Sequence, residues 1–201
     1  MNENKRTLEP YETQVQEYID RTPQEVTSGV KNWIDKVLDK LPRNASIFEV
    51  GSAFGRDAKY IESLGYTVQR TDATHGFVKL LHTKGYTARD FNLITDEFDK
   101  PYDVIFADAV LLHFTRDEME LALQKVHTAL APKGRFAFSL IKGSGEKWSQ
   151  NDKFKTPRFF CYWTESQITN ALKQAGFRDI SMTVNTFGDD GTEWLQVVAI
   201  R

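Results

Sequence analysis

Glu49-Val50-Gly51-Ser52-Ala53-Phe54-Gly55-Arg56-Asp57 stands where a short apolar run, Ile47–Val50, stops and a helical pattern begins. Gly51 and Gly55 let the backbone bend tightly and approach a ligand with no side chain in the way. The helix that follows offers unpaired N–H groups and a partial positive charge, a setting that favours an anionic group. Arg56 adds a full positive charge beside them, so a ligand bearing a carboxylate suits the place.

The stretch downstream of this turn alternates strand and helix. Ala58, Ile61 and Leu64 lie at helical spacing up to Gly65, and Tyr66–Arg70 reads as a second strand. A helix around Phe77–His82 and a weaker strand at Tyr86–Arg89 come next, then the strongly apolar Tyr102–Ala107. Thr115-x-x-Glu118 is a capping box before Met119, Leu123, Val126 and Leu130. Pro132-x-Gly134 turns the chain into the strand Arg135–Ile141, and Thr164-x-x-Gln167 opens a helix carrying Ile168, Leu172 and Ala175. Ile180–Phe187 and Trp194–Ile200 flank the turn GDDG and predict a terminal hairpin. Such alternation predicts an α/β fold: a Rossmann-like, doubly wound sheet of seven strands, mostly parallel with an antiparallel last strand, and helices on both faces.

Upstream, Tyr11, Val15, Tyr18 and Ile19 recur at helical spacing. Thr22-Pro23-Gln24-Glu25 reads as a helix start with a capping box from Thr22 to Glu25, and Val26, Val30, Trp33, Ile34, Val37, Leu38 and Leu41 form one apolar stripe ending at Pro42. The expected organisation is a helical cap over residues 1–44 and a main α/β domain over 45–201, within one globular unit. Gly143–Pro157 has no periodicity and reads as a long functional or mobile loop.

Ligands of doubly wound sheets bind outside the carboxyl ends of the strands, so the residues just after each strand carry the site. Asp72 follows the second strand, seventeen positions after Gly55, where an acid can accept from both hydroxyls of a ribose. Asp90-Phe91, after the third, offers a carboxylate and a ring to an adenine. Asp108-Ala109-Val110-Leu111-Leu112-His113 follows the fourth, and either Asp108 or His113 could face a reacting centre. His75, His82, His113, His127 and Cys161 show no metal-ligand spacing, so no metal site is expected.

The totals agree with a single soluble domain. The chain has 201 residues, 40% hydrophobic and 27% charged, with a formal net charge of −2, which demands no broad basic face for nucleic acid. One cysteine allows no internal disulfide, residues 1–14 lack the apolar core of a secretory signal, and no stretch is long and apolar enough for a membrane span. A cytoplasmic protein is expected.

Taken together, IFEVGSAFGRDAKYIESLGYTVQRTD, ARDFN, YDVIFADAVLLHF, LAPKGRFAFSLIKG and FFCYWTESQITNALKQAGF resemble the class I S-adenosylmethionine-dependent methyltransferases, particularly the small tellurite-resistance type, over about residues 45–201. The family's E/D-x-G-x-G-x-G turn falls on Glu49, Gly51, Ala53 and Gly55, with Ala53 replacing the middle glycine. The resemblance implies that S-adenosyl-L-methionine is the cofactor and S-adenosyl-L-homocysteine the product. Gly51, Ser52 and Arg56 would hold the methionine part, Asp72 the ribose, Ala73 the adenine face, Asp90 and Phe91 the adenine edge, and Ala107 or Asp108 would lie near the methionyl amine. A nicotinamide dinucleotide fits less well, because the turn spacing is G-x-x-x-G.

Methyl transfer from a sulfonium chiefly requires positioning, and a base only where the acceptor must first lose a proton. His113 is the candidate base, and Tyr11, Tyr18, Trp148 and Arg158 are the candidate acceptor-binding residues. Phe154, Phe159, Phe160, Tyr162 and Trp163, interleaved with Lys147, Lys153, Lys155 and Arg158, could clamp an aromatic or anionic small molecule or stack on RNA, although Phe159, Phe160 and Trp163 look like core. A small-molecule acceptor is favoured. A tRNA base and a non-catalytic partner role are the alternatives, and the sequence leaves the acceptor atom and oligomeric state open.

Overall fold

The computed structural model describes residues 3–151, 154–187 and 191–201. Its elements run α1 (Glu3–Thr13), α2 (Val15–Asp20), α3 (Ser28–Leu38), β1 (Ser46–Val50), α4 (Arg56–Ser63), β2 (Thr67–Asp72), α5 (His75–Thr83), β3 (Ala88–Asp90) and β4 (Tyr102–Ala107). A 3-10 turn at Leu111–His113 leads to α6 (Arg116–Ala129), β5 (Leu130–Ile141), β6 (Glu146–Asn151), β7 (Phe154–Cys161), α7 (Glu165–Gln174), β8 (Arg178–Phe187) and β9 (Thr192–Ile200).

Seven strands make one sheet in the order β3-β2-β1-β4-β5-β9-β8, parallel from β3 to β5 and antiparallel where β9 enters between β5 and β8. The expected Rossmann-like sheet with its terminal hairpin is therefore present; GDDG itself lies largely outside the described residues. Strand pleating divides the core. Ile47 of β1 and Ala137 of β5 face α3 and α4, whereas Phe48, Val50, Phe136, Phe138 and Leu140 face α6 and α7. The capping box predicted at Thr115 forms, Thr115 accepting from Glu118 N, and the helix start at Thr164 is boxed in the same way by Gln167, whereas the box read at Thr22 and Glu25 caps no helix.

Three expectations need correction. The helix expected to start at Thr22-Pro23 starts at Ser28, with Thr27 as its N-cap, and it ends at Leu38. Gln24 Nε2 donates to the carbonyls of Ile19 and Thr22, which ties that stretch into a turn instead. Pro132-Lys133-Gly134 does not precede β5 but forms an irregularity inside it, where the pairing steps from Tyr102↔Leu130 to Val104↔Arg135 and Lys133 takes φ 64. The supposed loop over 143–157 contains most of a hairpin, β6–β7, in register Trp148↔Phe159. Its residues are too polar to announce strands; they pair because Phe154, Arg158, Phe159 and Phe160 are buried, with Phe154 against Tyr11 of α1. Lys153 and the side chain of Lys155 lie outside the described residues.

Candidate active site

The turn after β1 is held from below by β2. Ser52 N donates to Thr71 O at 2.8 Å, Thr71 N to Ser52 Oγ at 3.1 Å, and Gly55 N closes the bend on Ser52 O at 2.8 Å. Gly51, Ala53 and Gly55 take φ 72, 47 and 87, so the left-handed geometry the family meets with glycine is met once by alanine. A Cβ on Gly51 would stand 2.4 Å from Val110 Cγ2, which brings the loop after β4 hard against the turn.

Asp72 links the turn to the end of β2. Its Oδ2 accepts from Ala53 N at 2.9 Å and its Oδ1 from Thr74 N at 2.8 Å. A carboxylate has about four acceptor positions, so two remain. Burial raises its pKa to about 6, and the two backbone donors oppose that rise.

Two connected cavities open here. The first, about 690 Å³, runs between Gly51, Asp72, Ala73 and Thr74 on one side and Asp108, Val110 and His113 on the other, with Phe77, Phe91 and Asn92 at one end and Tyr11 and Tyr18 closing it. The second, about 820 Å³, shares Tyr18, Gly51, Ala53, Asp108 and Ala109 with the first and adds Thr22, Ser52, Arg56, Asp57, Ser139 and Gln196.

Arg56 departs from expectation. Its guanidinium is spent on acids: Nε and Nη2 on Asp57 at 2.7 and 3.2 Å, Nη2 on Asp108 at 3.0 Å. Burial works against its charge, but Asp57 and Asp108 outweigh it and raise its pKa. Asp108 also accepts from Ser139 Oγ at 2.6 Å, and burial together with Asp57 raises its pKa. The cation therefore neutralises a buried acidic pair.

Among the other sequence candidates, Gly51, Asp72, Ala73, Phe91 and Asp108 line the first cavity, and Ser52 and Arg56 the second. Glu49 lies beneath the turn, buried, with Oε2 lacking a hydrogen-bond partner; burial and then Asp57 raise its pKa to about 8. Gly55 is the N-cap of α4 and lines neither cavity, and Ala107 packs into the core. Asp90 is exposed, 3.1 Å from His75 Nδ1, and Asn92 stands at the cavity in its place. The strand runs Ala88–Asp90, not Tyr86–Arg89, and Asp90 at its end is exposed. Thr74, Asn92, Val110 and Ser139 were missed. Val110 lies inside the quoted DAVLLH and Asn92 directly follows Asp90-Phe91, whereas nothing local marks Ser139.

Tyr11 and Tyr18 line the cavity, but Trp148 and Arg158 do not. Trp148 packs against Phe159 and carries Arg6 at 4.0 Å over its face. Arg158 Nη1 donates to Tyr11 Oη at 2.5 Å. His113 Nε2 lies 2.8 Å from Tyr11 Oη and its Nδ1 2.7 Å from Phe159 O. Burial, aided by the charge of Arg158, lowers the His113 pKa to about 3, so the ring is neutral with its basic nitrogen occupied. That is a poor starting point for a direct base.

A family model described as a methyltransferase domain matches residues 17–182. A search of curated proteins finds no match. Among solved structures the chain is similar to Burkholderia thailandensis 1,6-didemethyltoxoflavin-N1-methyltransferase with bound 1,6-didemethyltoxoflavin and S-adenosylhomocysteine, at 21% identity and TM-score 0.69 over 87% of this chain and 78% of that one. An S-adenosylmethionine-dependent methyltransferase from Mesorhizobium loti gives 19% identity and TM-score 0.63 over 83% and 96%. Haemonchus contortus phosphoethanolamine N-methyltransferase 2 gives 13% and 0.73 over 94% and 57%. At these identities the likeness is one of fold.

Proposed function

The chain belongs to the methyltransferase-domain family, and from that premise we propose that it transfers a methyl group from S-adenosylmethionine to a small-molecule acceptor. The observation that carries the reading is the bend Gly51–Gly55, tied to Asp72 through Ala53 N and open onto the first cavity. The residues suit the cofactor. Asp72 keeps two acceptor positions for a pair of hydroxyls, Ala73, Phe91 and Val110 offer apolar surface to a flat base, and Asn92 offers an amide to its edge. Ser52, Arg56 and Asp108 border the adjoining cavity, where an ammonium would meet Asp108. When bound, the cofactor supplies an activated methyl on a good leaving group. The protein's share is to hold the acceptor in line at about 3–3.5 Å and keep water out, a task that Tyr11 of α1 and Tyr18 of α2, both lining the cavity, would serve.

A small molecule is preferred over RNA because the aromatic side chains of 148–163 are spent on packing. Phe154, Phe159, Phe160 and Trp163 are buried, and Arg158 is buried behind Tyr11, which leaves few exposed rings for bases to stack on. The tellurite-resistance subgroup, the division into a helical segment over 1–44, whose apolar residues from Val26 on belong to the core, and a catalytic domain over 45–201, and a cytoplasmic location belong to the same proposal. No helix among the described residues is long and apolar enough to cross a membrane.

Calorimetry tests the reading. The parent protein binds S-adenosylmethionine and S-adenosylhomocysteine, and Asp72→Ala loses most of that affinity. No heat from the parent with either compound removes the proposal. Screening metabolite and RNA pools for released S-adenosylhomocysteine then separates the acceptor classes, and affinity for RNA that falls steeply with salt would favour the RNA alternative.

A further inference from the structure

The donor and acceptor of each hydrogen bond to Tyr11 and His113 can be assigned. The carbonyl of Phe159 only accepts, so the His113 nitrogen facing it, Nδ1, carries the hydrogen. The buried ring is neutral, so Nε2 holds a lone pair, and Tyr11 must donate its O–H to it. Arg158 only donates, so its Nη1 hydrogen bond ends on the Tyr11 oxygen. The single hydroxyl proton is thus committed to His113. A phenol oxygen has two lone pairs; Arg158 takes one and the other remains. Tyr11 and His113 line the cavity, whereas Arg158 and Phe159 stand outside its lining.

Toward the cavity, then, Tyr11 can only accept. From this geometry we infer that Tyr11 takes a hydrogen bond from the methyl acceptor, which must therefore bring an O–H or N–H group, with His113 and Arg158 as positioning residues that hold the tyrosine in this role. The inference rests on reading the cavity as the methyltransferase site. It selects alcohols, phenols and amines, and it disfavours acceptors that present an ether, a carbonyl or a carboxylate to this wall. Asp72, a carboxylate that lines the same cavity and is held by backbone donors, agrees, since it would repel an anion. Tyr11 belongs to α1, which covers the cavity from outside the sheet, while Gly51 and Asp72, proposed for the cofactor, lie at the strand ends.

The test uses the full chain saturated with S-adenosylhomocysteine and four probes of similar size: phenol, aniline, anisole and benzoate, titrated by ligand-observed NMR. The parent binds phenol and aniline about five- to tenfold more tightly than anisole and benzoate, the contrast one hydrogen bond provides. Tyr11→Phe keeps the ring packed on Tyr18 and Phe154 and abolishes that contrast. His113→Phe keeps the tyrosine but frees its proton, so anisole gains and the contrast falls toward one; a purely structural histidine would weaken all four probes alike. Equal binding of phenol and anisole by the parent, no binding of either donor probe, or a contrast that survives Tyr11→Phe overturns the inference. So does a Tyr11→Phe variant whose main loss is in S-adenosylhomocysteine affinity, since the group met would then be the cofactor's own hydroxyl. A parent that fails to bind S-adenosylhomocysteine sinks the functional reading itself, whereas intact binding with no contrast sinks only this inference.

Discussion

Glu49 and His113 are both buried and neutral near pH 7, and they make opposite contributions to stability against pH. Glu49 holds its proton up to about pH 8 in the fold, against an ordinary value near 4.5. The folded state therefore binds the proton more tightly, and this contribution, present at low pH, is lost as pH rises through about 8. His113 is depressed to about 3 from 6.5, so the unfolded chain takes the proton first, and its contribution, present above 6.5, is lost as pH falls toward 3. Glu49→Gln should flatten the decline in melting temperature between about pH 4.5 and 8, and His113→Phe should flatten the acid limb. Thermal melts across about pH 4 to 9 would check both, and an unchanged slope in either variant would show that the group is not neutral in the fold. Glu49 was legible in the sequence only as a motif letter. Its lack of a partner at Oε2 depends on which side chains of β2 and α4 come to surround it.

At the scale of the element, the bend Gly51–Gly55 was legible and its departure from glycine at Ala53 was visible, but the strain was not. Ala53 occupies φ 47, a conformation costing an alanine roughly 1 kcal/mol that glycine avoids. Ala53→Gly should hold or raise stability in urea by up to about 1 kcal/mol, less whatever unfolded-state entropy glycine adds. Gly51→Ala should do the reverse, because it adds a left-handed penalty and a Cβ 2.4 Å from Val110 Cγ2. It should cost more than about 1 kcal/mol and weaken S-adenosylhomocysteine binding; a variant as stable and as tight as the parent would show that the loop after β4 does not press on the turn. Two helix starts were equally readable, since Thr115 with Glu118 and Thr164 with Gln167 satisfy donors three residues away, but the same pattern at Thr22 and Glu25 caps nothing, because Gln24 ties that stretch into a turn. The hairpin β6–β7 was not, because what buries its aromatic residues is α1 and the 3-10 turn before α6, remote in sequence.

At the scale of the molecule, the core and the cover separate. Among the described residues, neither apolar cluster on the two faces of the sheet takes a side chain from before Val26. Residues 3–20 instead meet the rest through polar and ring contacts around the cavity: Asn4 with Asn92, Thr7 with Phe159 N, Tyr11 with His113, and Glu12 with Gly76 N. A chain starting at Arg21 should still unfold cooperatively, yet bind S-adenosylhomocysteine at least about tenfold more weakly, as loss of contacts worth about 1.4 kcal/mol would give. Loss of cooperativity in a urea titration would mean that the cover is part of the core, and unchanged affinity would mean that it does not close the site.

The division between what was legible and what was not follows the range of the interactions. Apolar periodicity, the capping boxes and the glycine bend each act within a few residues, so the sequence alone determined the seven-stranded sheet, its antiparallel end and the placing of Gly51 and Asp72 at one crevice. Arg56 turning onto Asp108, Asp90 facing solvent, and Tyr11 meeting His113 and Arg158 across 102 and 147 residues were decided only when the chain closed on itself. A side chain's partner is set by which surfaces come together and exclude water, and no local pattern records that.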